Sequence, residues 1–124
     1  MKQLNTNETA PAIGPYSHAI ITGNLLFTSG QIPADKEGVI AEGLENQITR
    51  VMQNLEAIAK AAGTDLSKTV KTTCFLADMA DFAIFNEIYA TYFTGKPARS
   101  CVAVKTLPKN VLVEVEAIIE LYDC

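Results

Sequence analysis

Val111-Leu112-Val113-Glu114-Val115-Glu116-Ala117-Ile118-Ile119-Glu120-Leu121 is the stretch on which the fold turns. Successive side chains of a strand point to opposite faces of a sheet. Val111, Val113, Val115, Ala117 and Ile119 therefore share one side, and Leu112, Glu114, Glu116 and Ile118 share the other. The first side is a core face. The second mixes glutamates with Leu112 and Ile118, and a sheet face open to water shows cleaner alternation than that. The pattern predicts that the second face packs against another subunit.

Upstream of the turn Leu107-Pro108-Lys109-Asn110, Arg99 sits in Pro97-Ala98-Arg99-Ser100-Cys101 and opens the β-like run Cys101-Val102-Ala103-Val104. If the two runs are neighbours, Arg99 faces carboxylates. A guanidinium is a planar fork that matches a carboxylate with two parallel hydrogen bonds, so the pair marks a candidate site for a small carboxylate substrate. The competing reading is a structural ion pair. A site containing Arg99 and Glu114 would fall where subunits meet.

The rest of the chain supplies the other elements. Ala19-Ile20-Ile21-Thr22 and Leu25-Leu26-Phe27-Thr28-Ser29 flank Gly23-Asn24 and read as a β-hairpin. Gln31 to Gly43 reads as a loop. From about Leu44 to Ala62 the apolar positions Leu44, Ile48, Val51, Met52, Leu55, Ile58 and Ala62 recur at helical spacing, and Gly63 closes the helix. Val70, Thr72, Cys74 and Leu76 read as one face of a strand. Asp78 reads as the cap of a second helix carrying Phe82, Phe85, Tyr89 and Tyr92, with Gly95 and Pro97 closing it. Strand, strand, helix, strand, helix, strand, strand predicts an α+β domain over residues 1–124, a mixed sheet with two helices on one face.

Composition narrows the chemistry. The chain has 124 residues, 48% hydrophobic and 19% charged, which suits one soluble domain with a single core. A net charge of −4 and a pI near 4.9 weigh against nucleic acid. There is no apolar signal core at Met1 to Asn7 and no run long enough to span a bilayer, so a cytoplasmic location is expected. Cys74, Cys101 and Cys124 are widely spaced and read as reduced thiols. With His18 the one histidine, no metal set is expected. No Walker A loop or dinucleotide-binding glycine pattern is present, and no cofactor is expected.

Five short motifs then stand in order: Ala12-Ile13-Gly14-Pro15-Tyr16, Ser29-Gly30-Gln31-Ile32-Pro33, Pro97-Ala98-Arg99-Ser100-Cys101, Leu107-Pro108-Lys109 and Val113-Glu114-Val115-Glu116-Ala117. Together they resemble the RidA/YjgF family along nearly the whole chain. The resemblance implies a chorismate-mutase-like fold and a homotrimer with clefts between adjacent subunits. It implies a deaminase that hydrolyses 2-imino acids, or their 2-enamino tautomers, to 2-oxo acids and ammonia. By motif, Arg99 would bind the substrate carboxylate and Glu114 would orient the attacking water. Tyr16, Ser29, Asn86 and Cys101 would line the cleft. A protonated imine is already electrophilic, so positioning and one carboxylate meet the chemical demand without a metal.

Three positions depart from the family's pattern. His18 stands where many relatives carry glutamine, and Ala103 occupies a commonly acidic position. The connection Thr94-Gly95-Lys96 is short, where relatives often carry a bulky residue.

Each residue also has a plainer role. Tyr16 follows Gly14-Pro15 and would serve as turn packing. Ser29 would make a local backbone hydrogen bond, and Asn86 would be an exposed or capping amide. Cys101 reads as a wall residue rather than a nucleophile, because no base is placed near it. Glu116 reads as an intersubunit ion-pair partner. The competing functions are a trimeric 2-oxo acid-binding regulatory module without turnover, sharing the same Arg99 fork, and a ribonuclease or translation inhibitor. The acidic charge and the lack of a histidine pair disfavour the latter.

Overall fold

The chain, in a computed structural model that describes residues 1–122, runs through β1 (Lys2–Leu4), β2 (Ala19–Thr22), β3 (Leu25–Thr28), α1 (Leu44–Ala61), β4 (Thr69–Leu76), α2 (Phe82–Tyr92), β5 (Ala98–Ala103) and β6 (Val113–Glu120). Cys124 lies outside the described residues. The strands form one mixed sheet in the order β1-β2-β3-β6-β4-β5. Every pairing is antiparallel except β4 with β5, which are parallel and joined through α2. Parallel neighbours need such a crossover, and it carries β5 to the sheet's edge.

The alternation of β6 survives intact. Val113, Val115, Ala117 and Ile119 are buried, while Glu114, Glu116 and Ile118 face the other way. The buried face meets Ile48, Val51, Met52, Leu55 and Ile58 of α1 and Phe85 and Tyr89 of α2 in one core cluster, joined by Leu26, Cys74, Leu76 and Phe93. Each fully buried side chain of this size contributes about 1.5–3 kcal/mol. α1 forms where its apolar spacing predicts, and Gly63, at φ 81, turns the chain out of it.

The same stripe of α1 carries two polar side chains into the core, Gln47 and Asn54. The Asn54 amide donates to the carbonyls of Ile32 and Ala34 at 3.1 and 2.9 Å, and its oxygen accepts from Arg50 at 3.1 Å. Gln47 donates to the carbonyl of Ala41 at 3.1 Å and accepts from the amide of Leu112 at 2.8 Å. The long segment between β3 and α1 is therefore fastened to α1 by side chains. Backbone bonds tie the segment to β6 at the isolated bridge Gln31 to Val115, and otherwise close it on itself, as at Ala34 to Ile40 and Ala41 to Pro33.

The structure corrects the sequence reading at four places. β1 was not expected, because Lys2-Gln3-Leu4 is too short and polar to signal a strand. It exists by pairing with β2 at the sheet's other edge. Val70 does not share a face with Thr72, Cys74 and Leu76. A bulge between Thr69 and Lys71 turns it out to solvent and puts Thr69 in the buried row. Asp78 caps a 3₁₀ turn, Met79–Asp81, that leads into α2, its carboxylate accepting from the Ala80 amide at 2.9 Å. Lastly, β5 and β6 are not neighbours, because β4 lies between them.

Among the described residues no helix covers the second face of the sheet. Cross-strand register places Ile20, Phe27 and Ile118 in one row there, and Glu114, Phe75 and Val102 in another. Phe27 and Val102 are exposed. Among the described residues no helix is long and apolar enough to cross a membrane.

Replacing Asn54 with Ala strands the buried carbonyl of Ala34 and leaves the Ile32 carbonyl with only the Ala34 amide. The expected cost is about 1–3 kcal/mol of stability. A denaturant titration at fixed protein concentration reads it as a lower midpoint. An unchanged midpoint would show that the Asn54 bonds do not hold the segment.

Candidate functional site

Arg99 is exposed at the start of the edge strand β5. Its register partner Thr72 places it on the helix-covered side of the sheet, and Cys101, opposite Cys74, shares that side. The guanidinium lies over two rings of α2, 4.8 Å from the centre of Tyr89 and 5.4 Å from that of Phe82. Asn86, between them on the helix, accepts one hydrogen bond from Arg99 Nη1 at 2.7 Å. Tyr89 is itself fixed, because its hydroxyl meets that of the fully buried Thr72 at 2.7 Å. A cation held against aromatic faces, with one edge bonded and the other open, is set to accept a carboxylate.

The neighbouring thiols are poor nucleophiles. Burial pushes Cys101 up despite Arg99, and pushes Cys74 up to about 12. No histidine stands ready as a base. His18 is buried in the N-terminal region, where its Nδ1 accepts from the Thr6 amide at 3.1 Å and its Nε2 donates to the Ala10 carbonyl at 2.7 Å. These bonds fasten the segment that leads to Tyr16.

The second group of residues lies where β3 parts from β6. Phe27 pairs with Ile118, and pairing resumes only at the Gln31–Val115 bridge. The freed Ala117 amide is satisfied by the Thr28 hydroxyl at 3.0 Å. Ser29 turns back to the strand before it. Its amide donates to the His18 carbonyl at 2.8 Å and its hydroxyl to the Ser17 carbonyl at 2.6 Å. Gly30 then passes over Glu114 so closely that a β-carbon there would collide with the carboxylate. Tyr16 follows Gly14, whose φ of 112 only glycine adopts easily, and lines with Gly30, Pro108 and Lys109 a cavity of about 660 Å³.

Glu114 is half-buried. Its carboxyl is raised above the usual range by burial first and by the charge of Glu116 second. The ion pair formed among the described residues, Lys68 with Glu120 at 3.3 Å, lies elsewhere.

The sequence-predicted residues thus fall into two groups. Arg99, Asn86 and Cys101 gather on the helix side near the β5 edge. Tyr16, Ser29 and Glu114 gather at the β3–β6 gap. Glu114 is opposite Phe75 and Arg99 opposite Thr72, so within one chain they occupy opposite faces of the sheet. The expected direct facing of Arg99 and a carboxylate on the next strand does not occur. Sequence reasoning did not find Thr72, or the platform role of Tyr89. Tyr89 was visible as part of the aromatic stripe, but nothing local marked its hydroxyl as anchored.

A family model described as Endoribonuclease L-PSP matches residues 7–121. The chain belongs to the RidA/YjgF family. Among its relatives is "RutC family protein y4sK" of Sinorhizobium fredii, 51% identical over 98% of each chain. The "2-iminobutanoate/2-iminopropanoate deaminase" of Salmonella typhimurium is 44% identical over 94% of this chain and 95% of its own. A solved structure of E. coli TdcF with bound serine superposes with a TM-score of 0.93 at 38% identity, covering 98% of this chain and 100% of that one. The family's α+β fold is the mixed six-stranded sheet with two helices described above.

Gly30→Ala tests the close approach. Glu114 is the end of a flexible side chain and can swing aside. The expected result is a melting temperature within a few degrees of the parent, with the Glu114 carboxylate displaced in a crystal structure. An unmoved carboxylate would show that the gap has slack.

Proposed function

We propose that this protein hydrolyses 2-imino acids, or their enamine tautomers, to 2-oxo acids and ammonia at sites shared between subunits of a homotrimer. The observation that carries the reading is the split of the candidate residues across the sheet. One chain presents a carboxylate fork without a base, and on the other face a carboxylate without an anchor. The apolar residues of the uncovered face, Phe27, Ile118 and Val102, suit contact with a second copy. The β5 edge of one copy laid beside the β3–β6 gap of the next would bring Arg99 and Glu114 into one cleft. The name of the Salmonella relative and the amino acid held by E. coli TdcF support a substrate of this size and charge.

In that cleft the open edge of Arg99 binds the substrate carboxylate, and Asn86 with the rings of Phe82 and Tyr89 keeps the fork from rotating. Glu114 holds a water against C2 of the imine. The water oxygen bonds to C2 as Glu114 takes its proton. Glu114 passes that proton to the nitrogen of the carbinolamine, and ammonia leaves as C2 becomes a carbonyl and the hydroxyl proton goes back to Glu114. Cys101 and Tyr16 shape the wall and Ser29 the gap. The ribonuclease reading fits less well, because the chain's one histidine is buried with both ring nitrogens engaged.

The test is 2-oxo acid release from an imine generated in place by an amino-acid oxidase, timed with and without the protein. Arg99→Ala should retain less than about a tenth of the rate, a loss above roughly 1.4 kcal/mol. Glu114→Gln should lose about 10²-fold while still binding a 2-oxo acid. Binding without turnover in the parent protein would favour the regulatory module instead.

The pH profile gives a separate check. The working form of Glu114 is the carboxylate, so turnover falls as pH drops through its raised pKa, earlier than for an ordinary carboxylate. Glu116→Gln removes one cause of the rise and should move the acid limb of kcat/KM to lower pH. A limb that stays in place would separate Glu114 from the rate.

A further inference from the structure

We infer that the cavity around Arg99 selects imino acids that carry a second carboxylate, with Lys96 as the residue that recognises it. This rests on the deaminase reading above and names its substrate class. The cavity, about 550 Å³, is lined by Asn86, Tyr89, Phe93, Lys96, Pro97 and Arg99 among others, and no acidic residue is in its lining. Two cations thus face one hollow in a protein of net charge −4. Lys96 has no acidic partner among the described residues.

The backbone holds Lys96 there. Phe93, which ends α2, is buried in the core. Gly95 passes so close to β4's approach that a β-carbon on it would sit 2.8 Å from the Ser67 carbonyl oxygen. The Lys96 amide donates back to the Phe93 carbonyl at 3.3 Å. These fixtures set Lys96 at φ 52, in the left-handed region that a lysine rarely occupies. Such strain persists where the surroundings over-determine it, and it gathers at ligand sites. Arg99 takes the carboxylate next to the imine carbon, and the Lys96 ammonium meets a carboxylate at the far end of the side chain. That second group takes no part in the hydrolysis. Water adds at C2 and ammonia leaves as before, with no change of oxidation state. The reaction supplying such a substrate is the two-electron oxidation of an acidic amino acid to its imine, or the loss of water from an acidic amino acid that carries a hydroxyl at C3.

The experiment compares 2-iminoglutarate with 2-iminopentanoate, which has the same chain length without the second carboxylate. Both are generated by oxidases acting on glutamate and norvaline. The expected result is a kcat/KM ratio of about fivefold in favour of 2-iminoglutarate, the size of a partly screened charge pair. Lys96→Met should bring the ratio to near one, Lys96→Arg should restore it, and added salt should shrink it in the parent protein. A parent ratio near one, or a ratio that Lys96→Met leaves unmoved, overturns the inference. If neither imine is hydrolysed, the deaminase reading fails. The calorimetric affinities for 2-oxoglutarate and 2-oxopentanoate, in the parent and Lys96→Met, then decide the role of Lys96 alone. Tighter binding of 2-oxoglutarate that depends on Lys96 supports it, and equal binding ends it.

Discussion

Strand alternation in β6 is the constraint from which the rest follows. With Val113, Val115, Ala117 and Ile119 committed to the helices, Glu114 and Glu116 have only the other face available. That keeps Glu114 away from the Arg99 of its own chain, which is bound to α2 through Asn86 and the rings of Phe82 and Tyr89. A shift of one residue in β6 would bring the glutamates into the core and push four apolar side chains out. The register is therefore pinned by burial on the same strand that presents the carboxylate.

The polar fixtures around the site act in the same direction. Asn54 and Gln47 use a helix that is otherwise apolar on this face to hold the segment from Ile32 to Ala41. His18 holds the segment that leads to Tyr16. Thr28 replaces the ladder bond lost where β3 leaves β6. Each side chain bonds backbone groups of a loop or of the parted strands, and Asn54 and His18 also line the cavity beside Gly30. These walls are loops by backbone pattern, yet their positions are set by side chains from regular elements.

Much of the fold was legible because it rests on periodicity. The hairpin, α1, the aromatic stripe of α2 and the alternation of β6 all announce themselves within a few residues. What failed was non-local. β1 is a strand only because β2 is beside it, and the bulge at Val70 exists only in the register of β4 against β6. The order of strands decided the site most, and no local pattern encodes that β4 separates β5 from β6. The motifs pointed to the residues one by one, but the strand order distributes them over two faces of the sheet. Thr72 and Tyr89 stayed hidden for the same reason, since their bond joins a strand to a helix 17 residues away.

The position of β6 also bears on how the molecule is made. It is the last strand of the described chain, yet it sits between β3 and β4, which are separated by the whole of α1. Until β6 has left the ribosome, the sheet exists as two pieces, each with a bare inner edge. The hairpin can close early, and β4 with β5 can form around α2, but neither piece has a complete core. Contacts of such long sequence separation slow folding and leave strand edges open to strangers. A growing chain of this design depends on β6 arriving promptly, and a stalled one would be a natural client for a chaperone.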